Sequence, residues 1–137
     1  MKTGIFKTAQ KLILASGSPR RKAFFEDLGL TFTVMTAKID ETPRATETPE
    51  NFVIRLAREK AEAVARHCPD SWVVGADTTV VLGEKILGKP DDRKEALQML
   101  LDLSGKWHEV WTGYCIYKKD RDELLQKAVV TEVCFDD

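Results

Sequence analysis

The segment Ser16-Gly17-Ser18-Pro19-Arg20-Arg21 joins a short apolar run, 12–15, to a predicted helix that opens at Pro19. Ser18 is a natural N-cap and Pro19 suits the first helical position. Yet the first turn carries Arg20, Arg21 and Lys22. A helix N-terminus behaves like roughly half a positive charge, so cations gathered there are unfavourable unless an anion joins them. Exposed backbone N–H groups, a glycine that permits close approach, the hydroxyls of Ser16 and Ser18 and two guanidiniums form a set that grips phosphate. Arginine stays charged and can bind phosphate oxygens in pairs. The competing reading is a pair of arginines pointing into water. The segment is not a Walker loop, since GxxxxGK[ST] is absent.

Asp77 closes the apolar run "SWVVGAD", which reads as a buried strand over 71–77. An acid at the end of such a strand needs a cation, a metal or hydrogen-bond donors, and ligands of open α/β sheets bind beyond strand ends. Capping of the following turn is the alternative. Glu41 lies in a Thr- and Pro-rich loop, "KIDETPRATETPE". Two carboxylates from separate loops could hold a hard divalent cation such as Mg²⁺. Lys60 falls on the apolar stripe of a predicted helix with Val53, Leu56, Ala57, Ala61 and Val64. Either its stem packs while the ammonium reaches water, or it faces a ligand. Lys89 precedes Pro90, which favours extended backbone there. Cations to hold phosphates and carboxylates to hold a metal or activate water are the inventory of polyphosphate chemistry. His67 and His108 fit no hydrolase dyad or triad and read as structural. No serine stands in a GxSxG context, and Trp72, Trp107 and Trp111 read as core or sheet-face residues.

The elements that must position these residues follow from periodicity and punctuation. Strands are expected at 11–15, 31–37 and 71–77, with strand resuming at 80–82. Helices are expected at 19–28, stopped by Gly29, at 49–67, capped by Thr48 and opened by Pro49, and at 91–103. Two long alternating strands fill 106–134 around a charged turn at 120–122. That order predicts a mixed-sheet α/β domain. Residues 1–10 are polar and read as a flexible segment ahead of a single domain over 11–137.

The 137 residues suffice for one domain with a real core, and a net charge of -1 gives no general attraction to nucleic acid or membrane surfaces. No apolar run approaches membrane-spanning length, and the first ten residues lack a secretory core. Three widely spaced cysteines without a CxxC pair argue against a disulfide framework or structural zinc and favour a reducing cytoplasm.

The stretches "LILASGSPRRK", "IDETP", "VIRLAREKAEAVA", "VVGADTTVVLGEKILGKP" and "ALQMLLDLSGKWHEVWTGYCI" occur in this order over about residues 11–117. Together they resemble the Maf family of nucleotide pyrophosphatases. The resemblance implies a fold similar to inosine triphosphate pyrophosphatases: an elongated mixed β-sheet flanked by helices, with a cleft between two lobes. It implies hydrolysis of a nucleoside triphosphate to the monophosphate and pyrophosphate with a divalent cation, Mg²⁺ or Mn²⁺. It implies Asp77 as proton acceptor, Ser16, Arg21, Glu41, Lys60 and Lys89 around the triphosphate, and Arg20 and Thr78 at positions linked to substrate choice. Glu41 and Asp77 are the implied metal ligands, and whether Asp77 acts as base, ligand or both stays open. "SPRR" with "GADT" resembles the dTTP/UTP branch, whereas the branch acting on 7-methyl-GTP tends to carry "SPWR" and "GSDQ". The family's "DKAGAYGIQG" and "VGLP" stretches do not occur in this chain. The domain is therefore expected to lack the family's C-terminal part and to expose edge strands and apolar surface. The resemblance leaves room for a homodimer. A second expectation is a nucleotide-binding or regulatory protein of impaired catalysis, associated with septum formation.

Overall fold

A computed structural model describes residues 11–87 and 92–134. Its strands are β1 (Leu12–Ala15), β2 (Thr33–Val34), β3 (Trp72–Leu82), β4 (Lys85–Leu87), β5 (Trp107–Lys118) and β6 (Glu123–Cys134). The helices are α1 (Pro19–Asp27), α2 (Pro49–Ala65) and α3 (Arg93–Leu103). One mixed sheet runs β2-β1-β3-β5-β6, with β4 also paired to β3. β1 is parallel to β2 and β3, while β3–β4, β3–β5 and β5–β6 are antiparallel. The expected mixed α/β architecture is the one observed.

Local signals set the helix ends. Ser18 Oγ accepts from Arg21 N at 3.4 Å to cap α1, and Gly29, at φ 74°, ends the turn after it. Thr48 Oγ1 accepts from Asn51 N at 3.2 Å to cap α2. Asp92 caps α3 through Glu95 N at 2.8 Å, so that helix starts two residues later than expected.

The core lies between α2 and one face of the sheet. Ala57, Ala61, Val64 and Ala65 pack on Ile13, Ala15, Val73 and Cys115, and Phe52, Val53 and Leu56 extend the contact toward Trp111 and Ala128. Two glycines allow the helix to lie this close. A Cβ on Gly75 would run into the Ala57 carbonyl oxygen, and one on Gly113 into the Val53 carbonyl. Gly75 thus faces α2, and strand alternation puts Asp77 on the same face and Thr78 on the other.

Two expectations change. The strand foreseen over 31–37 is only Thr33–Val34, because β1 offers it two register partners, Ile13 and Leu14. Residues 71–77 and 80–82 are not separate strands but parts of the unbroken β3. Asp77 therefore sits in mid-strand, not at a strand end, because β5 pairs with β3 from Val73 through Val81. The opposite edge of β3 is discontinuous: β1 pairs as far as Gly75 and β4 joins at Val80. Residues 76–79 face a gap in the sheet on that side.

Candidate active site

The gap in the sheet is where the charged residues meet. β1 ends at Ala15, and the turn Ser16-Gly17-Ser18 carries the chain into α1 beside the unpaired edge of β3. Arg21 does not splay into water. Its guanidinium donates to Ser16 Oγ at 3.1 Å and to Thr78 Oγ1 at 2.7 Å, tying the first turn of α1 to mid-β3. Ser18 N donates to Ser16 Oγ at 3.2 Å, and the Thr78 and Thr112 hydroxyls share a hydrogen bond of 3.1 Å across the β3–β5 pair. Ser16 is buried, and its hydroxyl accepts from both a backbone amide and a guanidinium.

On the α2 side of β3, Lys60 meets Asp77. Lys60 Nζ donates to Asp77 Oδ1 at 2.7 Å and lies 3.5 Å from the Ala76 carbonyl. The side chains are 15% and 4% exposed, so the pair is largely desolvated. A buried carboxylate requires such a partner. The apolar spacing that makes Lys60 look like a packing residue is the same spacing that aims it at the sheet. Glu41 Oε1 lies 3.7 Å from the same ammonium. Two carboxylates, from a loop and from β3, thus converge on one cation.

A cavity of about 380 Å³ at the gap is lined by Ser16, Gly17, Ser18, Arg21, Lys60, Asp77 and Thr78, and Glu41 approaches it through Lys60. A second cavity, of about 340 Å³, shares Ser18, Arg21 and Thr78 with it and is lined elsewhere by Arg20, Leu14, Phe24, Phe25, Val74 and Tyr114. The first is polar and charged; the second is largely aliphatic and aromatic. Arg21 and Thr78 form the boundary between them. The structure therefore brings together Ser16, Arg21, Lys60, Asp77, Thr78 and Glu41, and places Arg20 on the adjoining cavity. Lys89 lies outside the described residues.

Sequence reasoning passed over a second charged cluster, which holds the Glu41 loop. Arg55 is buried on α2. It donates from Nε to Glu47 Oε2 at 2.6 Å and from Nη2 to Glu47 Oε1 at 2.9 Å. Nη2 also reaches the Thr42 carbonyl at 3.1 Å, and Nη1 reaches Glu59 Oε2 at 3.3 Å. Hydrogen bonding to Arg55 pulls the Glu47 carboxyl below its ordinary value against the opposing effect of burial, and Glu47 in turn raises the Arg55 guanidinium. The signal available in the sequence was an arginine flanked by Ile54 and Leu56 in a helix that carries an acid, Glu47, just before its cap.

Among the described residues no group of three or more His, Cys, Asp or Glu side chains is arranged to hold a metal ion. Glu41 and Asp77 are the acids near the cavity that converge on a shared cation. An all-oxygen pair suits a hard divalent ion that completes its shell with water and phosphate oxygens.

The family described as Maf-like protein matches residues 11–137. The chain is 49% identical over 125 residues to a dTTP/UTP pyrophosphatase of Geobacter sulfurreducens, an alignment covering 91% of this chain and 65% of the relative. It is 50% identical over 120 residues to that of Myxococcus xanthus, covering 88% and 61%, and 51% identical over 129 residues to that of Desulfotalea psychrophila, covering 94% and 63%. The chain thus spans less than two thirds of the length of these curated relatives. Among solved structures, the Staphylococcus aureus Ham1 protein superposes with a TM-score of 0.60 at 15% identity, covering 91% of this chain and 72% of that one. The nucleoside-triphosphatase / dITP/XTP pyrophosphatase of Mycobacterium abscessus gives a TM-score of 0.57 at 14% identity, covering 90% and 73%. At such identities the superpositions establish the fold alone, and it is the one that the sequence resemblance implied. The family match across the described site and half-identity to several relatives agree: this chain belongs to the Maf-like protein family.

Proposed function

We propose that this chain hydrolyses a nucleoside triphosphate, dTTP or UTP, to the monophosphate and pyrophosphate. One observation carries the reading: Arg21, Lys60 and Asp77 converge on a single cavity at the gap in the sheet. Cations there offset phosphate charge, while a carboxylate stands close enough to act on water. The adjoining apolar cavity with Phe24, Phe25 and Tyr114 suits a base and sugar, and its shared wall of Arg21 and Thr78 joins the two halves of one nucleotide. Relatives named dTTP/UTP pyrophosphatase supply the substrate pair.

In this reading water attacks the α-phosphorus and the bond from that phosphorus to the α–β bridging oxygen breaks. Pyrophosphate leaves with the bridging oxygen, and the water proton passes to Asp77. The Lys60 contact uses Asp77 Oδ1 and leaves Oδ2 for that proton. Arg21 and Lys60 stabilise charge on the phosphates, Ser16 and Ser18 fix the turn that presents them, and Lys89 adds a further cation. Arg20 and Thr78, on the base-side cavity, set substrate choice. Glu41 and Asp77 would hold Mg²⁺ or Mn²⁺, which when bound neutralises phosphate charge. A reducing cytoplasm fits a chain whose three cysteines form no disulfide among the described residues.

The test is pyrophosphate release from dTTP and UTP with Mg²⁺. Asp77→Asn is expected to lower kcat by about 100-fold or more, the usual scale for loss of a general base, with folding checked by circular dichroism. Full turnover in that variant would overturn the role of Asp77. Nucleotide-dependent thermal stabilisation without pyrophosphate release would favour a binding protein over an enzyme.

A further inference from the structure

Glu41 reaches Lys60 from a loop, and loops place charges loosely unless something fixes them. Here the loop is closed around Glu41 and anchored to α2 just after it. Asp40 Oδ1 accepts from Thr42 N at 3.0 Å, closing a turn around Glu41. The Thr42 carbonyl accepts from Arg55 Nη2 at 3.1 Å. Further along, Glu47 Oε1 accepts from Arg44 N at 3.1 Å while both Glu47 oxygens accept from Arg55. Arg55 and Lys60 stand on the same helix, five residues apart, so the helix that carries the ammonium also carries the anchor of the loop. Arg55 also lies over the Phe52 ring, 5.7 Å from its centroid, which restricts the guanidinium plane.

We propose that Arg55, with Glu47 as its counter-charge, is a positioning residue that holds Glu41 against Lys60, a lining residue of the polar cavity. The inference rests on reading Glu41 as a residue of the nucleotide site. A lysine at position 55 would keep the charge but lose the planar fork that serves Thr42 and Glu47 together. The loop would then swing away from α2 while the sheet and the Lys60–Asp77 pair stayed in place. An ordinary structural ion pair would instead alter stability and leave the Glu41–Lys60 approach as it is.

The approach can be measured directly on the full chain. Carbodiimide, a zero-length reagent, joins a carboxylate to an amine in contact, and peptide mass spectrometry quantifies the Glu41–Lys60 link. The Lys11–Asp70 pair, 3.3 Å apart and exposed, is the internal control. In Arg55→Lys the Glu41–Lys60 link is expected to fall several-fold relative to that control. Glu47→Gln, which keeps the side-chain shape and removes only the counter-charge, serves as the second, independent variant should Arg55→Lys fold poorly. In active enzyme, the Mg²⁺ concentration for half-maximal dTTP turnover should rise roughly tenfold in Arg55→Lys, as for loss of an outer-shell partner. Adding Glu41→Gln should then produce little further rise. An unchanged crosslink ratio in a folded variant, or a Glu41→Gln effect that adds in full to that of Arg55→Lys, overturns the proposal. If the wild-type chain forms the crosslink but neither binds nor hydrolyses nucleotide, the function proposed above fails while the clamp stands.

Discussion

Glu47 and Arg55 show how a single pair can be silent in the sequence and demanding in the structure. Their side chains are 7% and 8% exposed, and removing one partner of such a pair costs about 3–5 kcal/mol because the other charge stays buried. The pair also has a pH signature. Glu47 is held below the ordinary carboxylate value chiefly by the hydrogen bond from Arg55. The stabilisation is therefore fully present above the unfolded value of 4.5 and is lost as pH falls through the lower folded value. Urea midpoints measured from pH 7 down to pH 3 should fall more steeply in the wild-type chain than in Glu47→Gln, which cannot titrate there; parallel profiles would contradict this account. Of the site residues, the Ser16-to-Arg21 segment was legible because an N-cap, a proline and misplaced cations are local features. Lys60 was ambiguous, because apolar spacing states which way a side chain points and not what it meets.

At the scale of elements, α2 positions the site. Its caps and apolar stripe were readable from Thr48, Pro49 and the spacing of Val53, Leu56 and Ala61, and the observed helix ends within two residues of the expected limit. Its height above the sheet was not readable. That height is set by Gly75 on β3 and Gly113 on β5, where any side chain would strike the helix backbone. Gly75→Ala should therefore lift α2, cost about 1–3 kcal/mol as overpacking does, and separate Lys60 from Asp77. Thermal unfolding measures the first effect. The second would show as a loss of nucleotide binding larger than the loss of stability explains. A variant of wild-type stability and affinity would contradict the close seating of α2 on Gly75.

At the scale of the whole molecule, one face of the sheet is covered by α2 while the other leaves Tyr114, Ile116, Leu125 and Val129 exposed, and β6 ends the strand order. Exposed apolar surface and an edge strand were both expected. Among the described residues no helix is long and apolar enough to cross a membrane. Burial separates the thiols. Cys115 is fully enclosed under α2, and burial pushes its thiol up to about 11, whereas Cys68 and Cys134 are half-buried. At pH 8 the Cys115 thiol stays protonated and shielded, so an aromatic disulfide reagent should modify Cys68 and Cys134 first and Cys115 only as the chain unfolds. Prompt reaction of all three thiols would show that the core is open.

The sequence by itself determined the helix caps, the apolar stripes, the mixed α/β class and the family, because each is carried by residue types at short and regular spacing. It also marked the cationic turn at Arg20 and Arg21 as unusual. Only the tertiary structure decided that Asp77 lies within a continuous strand beside a gap, that Lys60 and Glu41 meet there, and that Arg55 ties down the loop between them. With the Arg21–Thr78 hydrogen bond, those contacts join residues 8 to 57 positions apart. Their distances depend on strand register and on how closely one helix settles onto two glycines, and no local pattern encodes either.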